Sequence, residues 1–500
     1  MSQQAAASKR RSGTSRYEEP PLTGEERTAG RYRPLRVVSR VPPYLGWLAF
    51  FGPGIVYVAL AQGSGELIFW PYVVAKYGPA FLGLIIPACF LQYAVAVEIG
   101  RYTATTGETF FSGFRRLHPV YSAVLWVMLA ITFLWFAGYA SAGSTALVAL
   151  TNFPPGLSPR GQTLFWSYFV VVVFTLILVF GKVVYSIIEK FMGLVAVLTV
   201  VGLVFAAFHP AVLQVWPEFL ARTMTFQVSW PDNWDPADAS GLTSALIFAG
   251  AGGFFSVMYS YWARDKGVGL ARYVGRITSP VTGEKEAIPD TGYLFTDTAE
   301  NRKNYKGWMR WIHIDPAFAT ITNTVTLLMT CVLAYALLWP KGLVPEEFDI
   351  AVVQAEFFRN SFGLIGGLIF FFVAACFLAD TWLATTDAVA RMHADYFISN
   401  SARVRRWGFR KAYYVFVAIL VVISLATLPL AEPGTLLTIG GVLNALAMAI
   451  YIPGLIYLNY VKIPRQLPGW ARPRKLSLAL ICLSGVAYLA LGIAYLATFL

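Results

Sequence analysis

Residues Ala61, Gln62, Gly63, Ser64, Gly65 and Glu66 set a carboxylate, an amide, a hydroxyl and two glycines inside FGPGIVYVALAQGSGELIFWPYVV, a run that is otherwise apolar. An uncompensated carboxylate in hydrocarbon is costly, so Glu66 belongs in a wet cavity, against a cation or on a proton-exchange route. Close helix packing is the alternative reason for glycine in such a run, and it accounts for Gly83, Gly193 and Gly202. It does not account for Glu66.

Other residues able to do chemistry are fewer. In CFLADTWLATTDAVARMHADYF, Asp380 and Asp387 stand seven apart, on roughly one helix face. Asp380, with Thr381, Thr385 and Thr386, is a candidate for a coupling-ion path, and pairing with another helix is its alternative. Asp387 suits an i,i+4 pair with Arg391. Glu98 and Arg101 suit a local ion pair, and Glu189, beside Lys190, suits either a vestibule or an anchoring network. The four histidines (His118, His209, His313, His393) and the four cysteines (Cys89, Cys331, Cys376, Cys482) show no ligand spacing.

The elements that must position these groups are membrane helices. The 500 residues are 57% hydrophobic and 13% charged, with the charges clustered between long apolar runs, which excludes a large soluble domain. Eleven spans are expected, near 48–73, 80–100, 120–150, 163–181, 185–208, 241–262, 315–339, 361–390, 412–431, 434–458 and 476–499; about twenty residues suffice for a crossing. The net charge of +12 follows the membrane pattern and not nucleic-acid binding. Arg101, Arg115, Arg116, Lys182, the stretch 264–310, residues 403–411 and residues 462–475 fall on one side. The 209–240 connection carries Arg222 alone against Glu218, Asp232, Asp235 and Asp238. This segregation places the N-terminus in the cytosol and, with an odd helix count, the C-terminus outside, in an integral protein expected in a bacterial inner membrane. Trp47, Trp70, Tyr72, Trp262 and Trp339 read as interfacial anchors.

The sixth span repeats the oddity of the first. LIFAGAGGFFSVMYSYWARDKG carries Gly250, Gly252 and Gly253, five helices after Gly63 and Gly65. Paired glycine-interrupted spans point to two five-helix repeats of opposite orientation, with a binding site between their broken first helices. The implied organisation is a flexible cytosolic tail (1–44), a first repeat (45–208), an extracellular connection (209–240), a second repeat (241–460) containing a cytosolic connection (263–314), and a last connection and eleventh helix (461–500).

GPGIVYVALAQGSGEL resembles the first helix of the Nramp family of proton-coupled divalent-metal transporters, whose broken Asp-Pro-Gly-Asn segment falls on Gly63, Ser64, Gly65 and Glu66. GAGGFFSVMYSYW takes the place of that family's Met-Pro-His segment, with Phe254, Phe255 and Ser256 at those positions, and FGKVVYSIIEKFMG is similar to its fifth-helix entrance. The resemblance implies an all-α polytopic membrane protein with a LeuT-like inverted repeat of five plus five helices, of the amino-acid/polyamine/organocation superfamily. It also implies divalent-metal transport and no enzymatic activity.

The departures bear on the ion. Gly63, Glu66 and Phe254 replace the family's aspartate, asparagine and methionine, so the soft sulfur that suits softer metals is gone. Glu66 is the one metal-binding carboxylate expected. Carbonyls around Ala61 and Ala249, with Gln62, Ser64, Gly250, Gly253, Phe254 and Ser256, complete the expected substrate site. Asp380, Thr381, Thr385 and Glu189 form the expected coupling or gating set. Oxygen donors favour hydrated Mg²⁺ over Mn²⁺, and an organic substrate or another ion on the same fold is the alternative. No cofactor is expected beyond the transported cation, and the partners are the lipid bilayer and a small ion or molecule. The coupling ion, proton or sodium, and the oligomeric state stay open.

Overall fold

The computed structural model describes residues 17–181, 183–345 and 350–498. Among them, eight helices are long and apolar enough to cross a membrane, and three further passes are composite. Pass one joins Pro53–Ala61 and Trp70–Tyr77 through a wider, π-helical stretch, Gln62–Phe69. Pass three joins Pro119–Thr132 to Gly138–Thr151. Pass six joins Ala239–Ile247 to Phe254–Lys266 across a non-helical gap. The remaining passes are Ile85–Thr106 (two), Pro159–Phe180 (four), Val184–Ala207 (five), Ala299–Leu333 (seven), Glu356–Asn400 (eight, bent at Gly363), Phe409–Thr427 (nine), Pro433–Tyr457 (ten) and Lys475–Ala497 (eleven).

Passes one and six lie at the centre. Val56, Val257, Tyr259, Tyr261 and Trp262 are fully enclosed, whereas Phe169, Leu176, Val486 and Ile493 on passes four and eleven are about half exposed. In a water-soluble chain such apolar surface would be a liability; on a polytopic helical bundle it is the lipid face.

Two sequence expectations change at one end of the bundle. Pass seven starts at Ala299 and not near residue 315, because the Thr298 side chain accepts the Asn301 amide as an N-cap and Glu300 occupies the first turn; Pro316 is carried inside the helix. The expected tail is also structured from residue 17. Strands β1 (Leu22–Arg27) and β2 (Leu35–Val38) pair antiparallel, and β2 pairs parallel with β3 (Tyr293–Phe295), with Arg36 opposite Tyr293. The otherwise all-α chain thus carries one small sheet, and the end of the bundle that bears it is called the sheet end below.

Polar composition hid this segment, because what fixes it is hydrogen bonding to distant loops. Arg116 pairs with Glu108 at 2.5 Å with both side chains enclosed, and its guanidinium also donates to the Arg33 carbonyl at 2.8 Å. The Arg31 amide donates to the Arg116 carbonyl at 2.6 Å. Glu108 further accepts from the Tyr102 hydroxyl and the Gly292 amide. The Val41 amide donates to Asn301 and the Trp308 indole to the Pro42 carbonyl, which ties the segment to pass seven.

Burial alone would raise the Glu108 pKa, but Arg116, Tyr102 and the Gly292 amide together hold it below the ordinary glutamate value. A carboxylate depressed in the folded state contributes stability above its unfolded pKa, and that stability is lost as the pH falls through the folded one. Limited proteolysis of the wild-type protein should therefore show residues 17–44 protected at neutral pH and increasingly cut as the pH drops below about 4. Glu108→Gln, which leaves Arg116 enclosed without its counter-charge at a cost of order 3 kcal/mol, should expose the same bonds at neutral pH. Equal cleavage of both proteins at every pH would remove the pair from the clamp.

Candidate functional site

The centre of pass one does not unwind as the glycines suggested. Neither Gly63 nor Gly65 adopts a left-handed backbone; the helix widens by a π-turn and continues. The glycines are required by close approach. A Cβ on Gly65 would overlap the Phe248 carbonyl of pass six, and one on Gly63 would overlap the Thr381 hydroxyl of pass eight. The packing explanation of these glycines is therefore correct, while Glu66 still needs another.

Pass six is broken outright. Residues 248–253 leave the helix, and Gly253, at φ +69°, starts the second piece in a conformation that side-chain-bearing residues avoid. Asn444 of pass ten lies against Gly253 and accepts the Phe254 amide at 2.8 Å, so it caps that piece from another helix. Donors also meet the carbonyls around the gap. Trp70 donates to Ala245, Gln92 to Ile247 and the Cys89 thiol to Ala249, each at 2.7 Å. Ser256 and Tyr57 donate to Ala251 at 2.6 and 3.0 Å, and Tyr451 to Gly253 at 2.9 Å. The carbonyl of Ala249, expected as an ion ligand, thus accepts from a thiol, and Ser256 is engaged by Ala251. Trp70 and Trp262 are enclosed, not interfacial.

The other expected site residues fall into separate groups. Ala61 and Gln62 are buried at the start of the π-helical stretch, Ser64 follows in its backbone, and Gly250 lies against the Gln92 amide. Phe254 is fully buried near Phe133 and Tyr451; Phe255 contacts Phe133, Tyr139 and Phe248 with ring centroids 5.4–6.0 Å apart. Aromatic rings therefore surround the break.

Glu66 is 1% exposed, and neither carboxylate oxygen has a hydrogen-bond partner. It faces pass seven, where Thr326 lies beside it. Asp380 is fully buried on pass eight, also with both oxygens unpartnered, next to Thr381, whose hydroxyl lies against Gly63 of pass one. The Thr385 hydroxyl is unpartnered too, whereas Thr381 donates to the Phe377 carbonyl at 3.2 Å. Two carboxylates without hydrogen-bond partners thus lie on passes one and eight, Glu66 beside pass seven and Asp380 next to the Thr381 that meets Gly63.

Glu189 lies at the sheet end of pass five. It pairs with Lys266 at the end of pass six at 2.6 Å and lies against Gly52, just before pass one. Nearby, Asp315 accepts the Tyr259 hydroxyl at 2.8 Å and lies against Gly54. These contacts bind passes one, five, six and seven together at the sheet end. Asp387 pairs with Arg391 at 2.9 Å, as its spacing indicated, and Asp265 of pass six completes a fully enclosed cluster with them. On the other side of the bundle a cavity of about 610 Å³ reaches Ile68 and Phe69, just beyond Glu66, between Gly241 of pass six and Thr438 of pass ten. Asp265, Asp315, Gln92 and Asn323 were not singled out by sequence. Only Asp315, with Pro316 at the start of the expected seventh span, offered a signal.

No protein-family model and no curated relative matches the chain. Solved structures do. A manganese transporter of Eremococcus coleocola, in complex with an aromatic bis-isothiourea compound, aligns over 90% of this chain and 87% of its own at 13% identity and a TM-score of 0.61. MhsT in complex with L-phenylalanine aligns over 91% and 99% at 14% identity and 0.53. Mhp1, a nucleobase-cation-symport-1 family transporter with bromovinylhydantoin bound, aligns over 90% and 91% at 11% identity and 0.51. The chain therefore has the LeuT-like fold of these proteins: an all-α polytopic membrane bundle of two inverted five-helix repeats and an eleventh helix.

The two glycine contacts are separable by mutation. Gly65→Ala pushes a methyl into backbone that cannot rotate away and should destabilise the protein by about 1–3 kcal/mol, read as a lower melting temperature in detergent. Gly63→Ala meets a side chain, so its defect should be largely reversed in the double variant G63A/T381A. Equal melting of G65A and wild type would show that passes one and six do not depend on this approach.

Proposed function

We propose that this integral membrane protein is a secondary transporter that moves a small solute by alternating access, with a cation engaged by Glu66 and with passes one and six as the moving centre. The observation that carries the reading is the Glu66 carboxylate, wholly enclosed at the point where pass one widens, with no positive charge paired to it and only the Thr326 hydroxyl beside it. Such a group is stable in hydrocarbon only if a positive charge or a proton joins it. The break in pass six supplies the hinge. The Glu189–Lys266 pair and the Asp315–Tyr259 bond act as the gate at the sheet end, and the cavity beyond Ile68 is the approach from the other side. Basic residues gathered at the sheet end, including Arg33, Arg36, Arg116, Arg272, Arg276 and Arg405, support a cytosolic sheet end and an external C-terminus, in a bacterial inner membrane.

For the substrate, the oxygen-rich neighbourhood of Glu66 supports a hard divalent cation, Mg²⁺ ahead of Mn²⁺; the manganese transporter of the same fold is consistent with that class. A second reading, an organic solute moved together with a cation, is favoured by the rings of Phe248, Phe254 and Phe255 at the break. It is favoured also because no group of three or more His, Cys, Asp or Glu residues among the described ones can hold a metal ion. Bound L-phenylalanine and bromovinylhydantoin in MhsT and Mhp1 show that the fold takes such ligands.

Proteoliposomes offered a panel of divalent ions and aromatic or heterocyclic solutes, with and without Na⁺, proton and voltage gradients, test the reading. Saturable, gradient-dependent uptake is expected, and uptake of an organic solute without any divalent-ion flux would select the second substrate class. Glu66→Gln keeps size and loses charge, so flux should fall about tenfold or more. Asp380→Asn should change the ion dependence of uptake while the melting temperature holds. Wild-type uptake by E66Q at every pH would dismiss Glu66 from transport.

A further inference from the structure

Pass seven carries charges that the transport site does not use. Its first four turns lie ahead of residue 315, and the exposed positions along them are Arg302, Lys303, Lys306 and Arg310. At the same helical spacing the stripe from Lys303 to Arg310 continues as Ile314 and Ile321, which are also exposed. One helix surface thus turns from cationic to apolar just past Arg310, as a surface does where lipid headgroups meet hydrocarbon. No carboxylate occurs between Glu300 and Asp315, and Asp315 is buried.

Two further elements flank the stripe. On one side, the chain that enters pass one runs along pass seven. The Asn304 side-chain amide donates to the Val41 carbonyl at 3.1 Å, Tyr44 lies against Gly307 and Trp308, and Trp47 meets Phe318 with ring centroids 5.7 Å apart. This segment leaves Leu45 and Leu48 67% and 79% exposed, and Arg310 is within electrostatic reach of its Tyr44. On the other side, pass eleven begins at Lys475 behind Arg474, which is within electrostatic reach of His313, and its Leu476 is 70% exposed. Arg302 approaches Asp297 at 3.9 Å, whereas Lys303, Lys306, Arg310, Arg474 and Lys475 pair with no carboxylate among the described residues. Leucines this bare, on an entry loop and at a helix start, are an apolar surface that lipid would cover.

We propose that this surface is a docking ledge for anionic phospholipid: Lys303, Lys306 and Arg310 hold the headgroup phosphate, and Arg474 and Lys475 add charge from the far flank. Leu45, Leu48, Ile314 and Leu476 meet the acyl chains. Charge selects the lipid class, because a zwitterionic headgroup brings its own cation and leaves the protein's charges uncompensated. Arg310 can take a phosphate through two N–H groups and the lysines as point charges. The leucines select lipid over a soluble anion, which would leave them in water. Because the ledge spans pass seven and the entry segment, a lipid bound there holds residues 44–47 against pass seven. The assignment does not depend on the ion at Glu66 or on which leaflet the sheet end faces.

The test places the full-length protein in nanodiscs of phosphatidylcholine, alone or mixed with phosphatidylglycerol, and reads amide hydrogen exchange over residues 44–51. Exchange there should slow about tenfold with phosphatidylglycerol. K303Q/K306Q/R310Q should lose that slowing and K303R/K306R should keep it. R403Q/R406Q/K411Q, which removes exposed cations between passes eight and nine, should leave it unchanged. The substituted side chains are all exposed, so the fold does not rest on them, and the wild-type comparison needs no variant. Equal wild-type exchange in the two lipids overturns the ledge, as does full slowing in K303Q/K306Q/R310Q. Equal slowing by inorganic phosphate in phosphatidylcholine discs, or loss of the effect in R403Q/R406Q/K411Q, overturns it too, by assigning the effect to a soluble anion or to overall charge.

Discussion

The contact between Gly65 and the Phe248 carbonyl decides how the two halves of the molecule meet. Backbone touches backbone there, with no side chain between, at the one place where pass six has released its helical hydrogen bonds. A helix can come this near another only through glycine. The approach brings Trp70 within reach of the Ala245 carbonyl and Tyr57 within reach of Ala251, so the first repeat supplies donors that the broken helix of the second repeat needs. The break is tolerated in a membrane because the protein satisfies it internally.

That economy makes the exceptions informative. Six carbonyl and amide groups around residues 245–254 are met by Trp70, Cys89, Gln92, Tyr57, Ser256, Tyr451 and Asn444. The side-chain polar atoms of Gln62, Glu66, Asn323 and Asp380 make no hydrogen bond of good geometry, with only the Thr326 and Thr381 hydroxyls beside the two carboxylates. The proposed transport role rests on these unpaired groups. The enclosed ion pairs, by contrast, Glu108–Arg116 and Asp265–Arg391–Asp387, have their charges matched within the protein and sit at the sheet end, where they hold loops and helix ends in place.

Much of this was readable in the residues. Glycine pairs five helices apart marked the two central passes, and Glu66 and Asp380 stood out as charges inside apolar runs. The sequence misled where one residue type serves two purposes. Gly63 and Gly65 look like helix breakers and act as contact points, while Gly253 does break its helix by its backbone sign. Asp315-Pro316 reads as a helix start and lies in mid-helix, because Thr298 caps the chain a full four turns earlier. Asn323 sits in a threonine-rich run, TITNTVT, where a single amide carries no periodic signal. Residues 17–44 lack an apolar pattern, and their order comes from Arg116, Asn301 and Gly292, far along the chain.

The account turns on whether a cation sits beside Glu66. Crystals of the full-length protein grown with manganese(II) measure this directly, since its anomalous signal identifies the ion without reference to the surrounding atoms. The account predicts an anomalous peak beside the Glu66 carboxylate, absent from crystals of E66Q. A wild-type crystal with manganese bound only beside Asp380, or nowhere near Glu66, would contradict it.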